Sequence, residues 1–215
     1  MHWDFEKKAI EYSPDIIIAH SYRHSHTLKA LKVKKILDRK GKKCKVFLVT
    51  HAPFIEKNIT RSLTQNLVVK FYDFFLGPKT INKFDKIITI AKWENPYLAR
   101  LGVKKEKIVY IPNGIPDDFF LGKRKQGKGI LFLGRISPVK NLEVLIKAMG
   151  SIKIHLDIVG PSEKEYNKKL SQLINLMKIK NISFKKPVYG LKEKISLIDN
   201  YEILVLPSKS EAMPQ

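Results

Sequence analysis

The chain has little of what marks a disulfide scaffold, a metal cluster or a membrane span. Its 215 residues include one cysteine, Cys44, which excludes an internal disulfide and a multi-cysteine metal site. A reducing cytosol suits such a chain. Long apolar runs are missing as well, and none approaches the roughly 18 residues that a spanning helix needs. Residues 1–11 carry Asp4, Glu6 and Glu11 and no apolar core, unlike a signal peptide. Arginine is scarce: six of the 41 basic residues, against 35 lysines. There is no Walker A sequence. Nor is there a strand–GxGxxG–helix pattern, because Gly127 and Gly129 precede a strand-like run. Kinase, ATPase and nicotinamide-dehydrogenase readings lose their main support.

What is present is ordinary globular composition, 44% apolar and 28% charged, which argues against a disordered tail, a collagen-like chain or a coiled coil. The net charge of +21 is spread evenly, +11 over residues 1–122 and +10 over 123–215. A basic tail would be lopsided. An evenly basic surface favours anionic partners in general, whether nucleic acid, anionic lipid or a phosphorylated substrate, without choosing among them.

The dominant pattern is alternation. Short β-branched runs stand at 15–20 (DIIIAH), 45–51 (KVFLVTH), 86–91 (KIITIA), 108–111 (IVYI), 130–134 (ILFLG), 154–160 (IHLDIVG), 182–184 and 203–207 (ILVLP). Several are apolar at nearly every position, as parallel strands covered on both faces are. Between them lie helical patterns. Leu142, Leu145, Ile146 and Met149 recur at helical steps, with Asn141 placed to cap and Gly150 to end the helix. Tyr166, Leu170, Leu173 and Met177 do the same. Leu67, Val68, Phe71, Phe74 and Phe75 give 60–76 an apolar face, read like the other stripes as core. The expectation is an α/β protein with doubly wound, Rossmann-like parallel sheets. The segment 112–129 breaks the alternation with Pro112, Asn113, Gly114 and Pro116 and then a non-periodic basic stretch. It reads as a linker between two units with a cleft near it, and the basic cluster at 123–128 reads as solvated linker rather than a phosphate patch.

Open α/β sheets bind ligands beyond the carboxyl ends of their strands. His20, His24 and His26 follow the first run and tempt a metal reading. His24 and His26, two apart, do not share a helix face, and no carboxylate or cysteine completes a set; no metal is expected. Arg135 and Lys140 leave a glycine-ended strand and bracket a helix start. Two cations beside free backbone N–H groups suit a diphosphate; the plain alternative is a surface arginine and a lysine near a cap.

The motifs GRISPVKN at 134–141, DIVGPSEKEY at 157–166 and LPSKSEAMP at 206–214 resemble the nucleotide-sugar domain of family-four retaining glycosyltransferases of GT-B architecture, the glycosyl transferases group 1. IPNGIPDDFF at 111–120 resembles the close of their N-terminal domain, and VTHAPF at 49–54 their strand-end histidine. The resemblance covers about 15–215. It implies a partial acceptor-side Rossmann-like domain over 1–116, a linker over 117–129, and a partial nucleotide-sugar-binding domain over 130–215. It also implies transfer of a sugar from a nucleotide-sugar donor, with retention of configuration, to a glycan or lipid-linked acceptor. Arg135 and Lys140 would hold the donor diphosphate. Glu211 would contact hydroxyls of the transferred sugar, and His51 would reach towards the sugar and reaction centre. Gly134, Gly160 and Ser208 would line the donor nucleotide and sugar. No cofactor is implied. The setting would be cytoplasmic and peripheral on the inner face of the membrane, in polysaccharide biosynthesis.

Departures accompany the resemblance. The family's second motif glutamate would fall at position 219. Nothing before Asp15 matches the family's opening strand and glycine-rich loop, and two full domains need roughly 300 residues. The expectation is therefore a chain truncated at both ends, with both units incomplete. The competing readings are an inactive remnant of such an enzyme and a basic protein that binds nucleic acid or an anionic surface. Against nucleic acid, the basic residues are not interleaved with aromatics in a compact patch, and no binding motif appears.

Overall fold

A computed structural model describes residues 5–51, 62–121, 126–209, 211 and 213. Residues 52–54 of the VTHAPF segment, 123–125 of the basic cluster, and Ser210, Ala212 and Pro214 of the last motif lie outside the described residues. Contacts divide the chain into two units, Met1–Gly114 with Ala212–Gln215, and Ile115–Glu211.

The first unit runs α1 (Glu6–Tyr12), β1 (Ile16–His20), α2 (Ser25–Arg39), β2 (Lys45–Val49), α3 (Leu63–Phe71), a π-helical turn (Tyr72–Leu76), α4 (Gly77–Ile81), β3 (Lys86–Thr89), α5 (Asn95–Arg100) and β4 (Ile108–Tyr110). The strands form one parallel sheet in the order β1-β2-β3-β4. Val46 and Leu48 of β2 and Ile87 of β3 are fully buried with Val33 and Leu37 of α2 and with Ile81, Phe84 and Leu98. Ala30, Val33 and Leu37 recur at three- and four-residue steps, which turns one face of α2 onto the sheet.

The second unit runs β5 (Ile130–Leu133), α6 (Leu142–Met149), β6 (Leu156–Val159), α7 (Lys164–Leu176), β7 (Ile182–Lys185), α8 (Leu191–Asp199) and β8 (Ile203–Leu204). Its sheet is also parallel, in the order β7-β6-β5-β8. All four residues of β6 are buried, and Phe132, Ile158, Leu142, Ile146 and Leu170 form the dry centre. The expected two parallel α/β sheets are what the chain forms.

Three local expectations differ. Asn141 occupies the N-cap position of α6 but in a left-handed conformation (φ 54°), with no side-chain cap bond. Its amide instead donates to Pro207 O (3.3 Å), and the Leu142 N–H is taken by the Tyr166 hydroxyl (3.1 Å). Ile16 and Ile18 of β1, and Ile203 and Leu204 of β8, are exposed because these strands end their sheets among the described residues. The apolar face of α3 and the π turn is not core either. Leu63 is 84% exposed and Phe74 75%, with Leu67, Val68, Phe71 and Phe75 also on the surface. The helix itself is well made: Ser62 and Gln65 satisfy each other's backbone N–H groups (3.2 and 3.1 Å) in a capping box.

Candidate functional site

Parallel strands present all their carboxyl ends on one side. In the second unit β5 lies between β6 and β8, so the loops leaving these three strands are neighbours. They carry Gly134, Arg135 and Lys140 after β5, Gly160 after β6, and Ser208 and Glu211 after β8.

Gly134 and Gly160 make the first contact. Gly134 N–H donates to Val159 O (3.0 Å), and Gly160 holds φ +149°, a region that side chains rarely adopt. A Cβ at Gly160 would lie 1.9 Å from the Gly134 carbonyl oxygen. Glycine is thus required by the closeness of two backbones within the unit. The loop after β5 then runs alongside that after β6: Ile136 N–H donates to Pro161 O (2.8 Å) and Glu163 N–H to Ile136 O (3.1 Å). It also touches the loop after β8, where Lys209 N–H donates to Val139 O (2.9 Å). A short 3-10 turn, Pro138–Lys140, delivers the lysine.

Lys140 Nζ donates to a carboxylate oxygen of Glu211, an ion pair between two largely covered side chains. Burial alone would raise the Glu211 carboxyl. The Lys140 contact outweighs it, Ser208 adds to the effect, and the carboxyl lies below its ordinary value of 4.5. Arg135 is exposed and makes no hydrogen bond or ion pair among the described residues. The site thus combines an open guanidinium, a lysine held against a carboxylate, and a backbone cradle that only glycine permits.

The first unit has its own set at the ends of β1, β2 and β3. His51 stands in a left-handed conformation (φ 55°), as do Ser21 (71°) and Arg23 (70°). Three non-glycine residues at positive φ around two strand ends mark a locally strained, over-determined backbone. His20 Nδ1 lies 2.8 Å from His51 Nε2. His26 Nε2 donates to His20 O (2.8 Å), and the His24 and His26 rings lie 5.2 Å apart. Partial burial, then the neighbouring His20, lower the His51 pKa, against a smaller opposing pull from Glu94. Among the described residues, no three of His, Cys, Asp and Glu gather as a metal site.

One residue of this set, Glu94, carries almost no sequence signal. Glu94 is wholly buried. It accepts the Ile90 and Ala91 N–H groups (3.0 and 3.1 Å) and the Thr50 hydroxyl. Thr50 immediately precedes His51. A carboxylate three residues after Ala91, whose backbone N–H it accepts, is the only signal the sequence carried for Glu94.

Residues 1–119 match the family described as Glycosyltransferase Family 4. Residues 116–215 match the family described as Glycosyl transferases group 1. No curated protein matches the chain. Among solved structures, a sucrose-phosphate synthase from Thermosynechococcus elongatus has a TM-score of 0.70 at 18% identity, covering 98% of this chain and 54% of that one. HepE of Anabaena, solved with UDP and glucose, gives 0.72 at 16% identity, covering 96% and 57%. The lipopolysaccharide outer core galactosyltransferase WaaB gives 0.64 at 20% identity, covering 98% and 55%. The chain spans about half the length of these structures. At such identities the likeness carries the fold, which is that of GT-B proteins.

Proposed function

The chain belongs to Glycosyltransferase Family 4, and from that membership we propose that it takes part in moving a sugar from a nucleotide-sugar donor to a glycan or lipid-linked acceptor with retention of configuration. The observation that carries this reading is the Lys140–Glu211 pair beside Arg135 at the ends of β5 and β8. As the bond between sugar and diphosphate breaks, negative charge gathers on the leaving oxygen. Arg135 and Lys140 supply fixed positive charge against it, so the reading requires no metal. Glu211 accepts hydrogen bonds from hydroxyls of the transferred sugar. Gly134, Gly160 and Ser208 border the nucleotide and sugar, and His51 is assigned to the sugar and its reaction centre.

HepE has been solved with UDP-glucose, which makes uridine nucleotides the first donor class to try. Attachment to the inner face of an anionic membrane, from the cytoplasm, belongs to the same reading. The net charge of +21 and the exposed apolar row on α3 support it. The test is calorimetric titration of the full chain with UDP-, GDP- and ADP-sugars, alongside an assay for nucleoside diphosphate release. One donor class is expected to bind, with binding weakened in Arg135→Ala and unaffected by chelator. Failure of all three donors to bind would remove the reading.

A further inference from the structure

His20 and His51 end adjacent parallel strands, and the register that pairs His20 with Val49 brings their rings together. The centroids are 5.1 Å apart at an interplanar angle of 30°, and the nearest nitrogens are 2.8 Å apart. One of those nitrogens must donate and the other accept, so the two rings share one proton on that edge and their tautomers are locked together. His20 is itself fixed, since its carbonyl accepts both His26 Nε2 (2.8 Å) and the Thr27 hydroxyl (3.2 Å). His51 is fixed from the other side by the Thr50–Glu94 bond one residue earlier. Its backbone is left-handed, at φ 55°.

We propose that His20 is a positioning residue for His51, fixing its ring orientation and tautomer through the shared edge. The inference rests on the sugar-transfer reading for what His51 does, and not for the pairing itself. Among the described residues, the titratable groups around the pair are His26 from α2, His24 just before it and Glu94 after β3. A second proton would place two imidazolium rings in contact. The pair therefore resists double protonation, and His51 acts as a neutral hydrogen-bonding group near pH 7.

The test uses the full chain with 15N-labelled histidine and two variants. His20→Asn puts an amide donor near the position of Nδ1 but cannot take up a proton. His20→Phe keeps a ring and removes the hydrogen bond. In His20→Asn, His51 Nε2 is expected to accept from the amide with the ring proton on Nδ1, and His51 to titrate at higher pH than in the parent. In His20→Phe its tautomer should relax to the free-imidazole mixture. Turnover should fall about tenfold or more in His20→Phe, through kcat rather than KM, and recover largely in His20→Asn. Identical His51 tautomer and titration in all three proteins would overturn the proposal, as would equal turnover losses in both variants. If the parent transfers no sugar, the sugar-transfer reading fails. The nitrogen shifts still decide the pairing, and if His20→Phe does not fold, the His20→Asn titration decides it.

Discussion

Lys140 and Glu211, 71 positions apart, meet as an ion pair where the loops after β5 and β8 run side by side, while Arg135 on the same loop stays open to solvent. The pairing makes the two cations unequal. A diphosphate must draw Lys140 away from Glu211 but finds Arg135 without a competing carboxylate among the described residues. Arg135→Ala should therefore weaken nucleoside diphosphate binding by about 1.5–3 kcal/mol, roughly tenfold to a hundredfold. Lys140→Ala should cost less, because the parent gives up the Glu211 pair on binding. Nucleoside binding should change in neither. Calorimetry with the nucleoside diphosphate and the nucleoside checks the order.

The same pair sets a pH dependence. The Glu211 carboxyl is depressed in the folded chain, so its stabilising contribution is full above the ordinary carboxylate value of 4.5 and is lost as pH falls through the lower folded value. Glu143 behaves alike: burial would raise it, but Tyr166 and Lys169 hold it down. The stability gap between the parent and Glu211→Gln should be constant from pH 7 to about pH 5 and close below that. Denaturant melts at stepped pH measure it. A gap that widens in acid would contradict the assignment.

Much of this fold was legible because central parallel strands are apolar at successive positions, as in β2, β5 and β6. Where a strand ends its sheet the same composition misleads. The run at 203–207 reads as a strand of five, yet only Ile203–Leu204 pair as β8. Helical periodicity located α3 correctly but could not say whether its apolar face met protein. Arg135, Lys140, Gly160 and Glu211, singled out by motif, lie in the loops that leave the carboxyl ends of β5, β6 and β8. The contact between His20 and His51 depends on strand register, and Glu94 spends its carboxylate on backbone N–H groups. Neither has a local pattern strong enough to announce it.

Gly160 offers a sharp steric test. Gly160→Ala must push backbone away from Gly134 as well as hold an unfavourable φ, and should cost on the order of 3–4 kcal/mol. Gly41 is the control, at φ +79° with nothing within 4 Å of an added Cβ. Gly41→Ala should cost only about 1–2 kcal/mol, the conformational strain by itself. Chemical denaturation of the two variants separates crowding from strain. Equal losses would mean that the β5–β6 loops yield freely.

Glu94 holds three donors in a dry site. Glu94→Ala leaves two backbone N–H groups unpaired, at about 1–3 kcal/mol each before relaxation or entering water, and leaves the Thr50 hydroxyl only its longer contact with Ile88 O (3.4 Å). A loss of roughly 3 kcal/mol or more is expected. Glu94→Gln keeps one oxygen to accept from Ile90 and Ala91 and should recover most of it. Denaturation midpoints at unchanged slope measure the difference.

The last prediction concerns the exposed face of α3. Leu63, Leu67, Phe71 and Phe74 stand three or four positions apart on one side of a continuous helical segment, and Phe75 packs on both Phe71 (4.8 Å) and Phe74 (4.7 Å). Apolar side chains this exposed contribute little to folding, so Leu67→Glu and Phe74→Glu should shift unfolding stability by no more than about 0.5 kcal/mol each. If this face enters the interfacial layer of a bilayer, it should act together with the chain's positive charge. Co-sedimentation with vesicles rich in anionic lipid should then fall severalfold in the double variant, and it should fall in the parent when salt is raised. Zwitterionic vesicles should bind the parent weakly, because the apolar row alone lacks the electrostatic share. Binding that salt abolishes in parent and variant alike, with no difference between them, would assign attachment to the basic surface and leave α3 without a part in it.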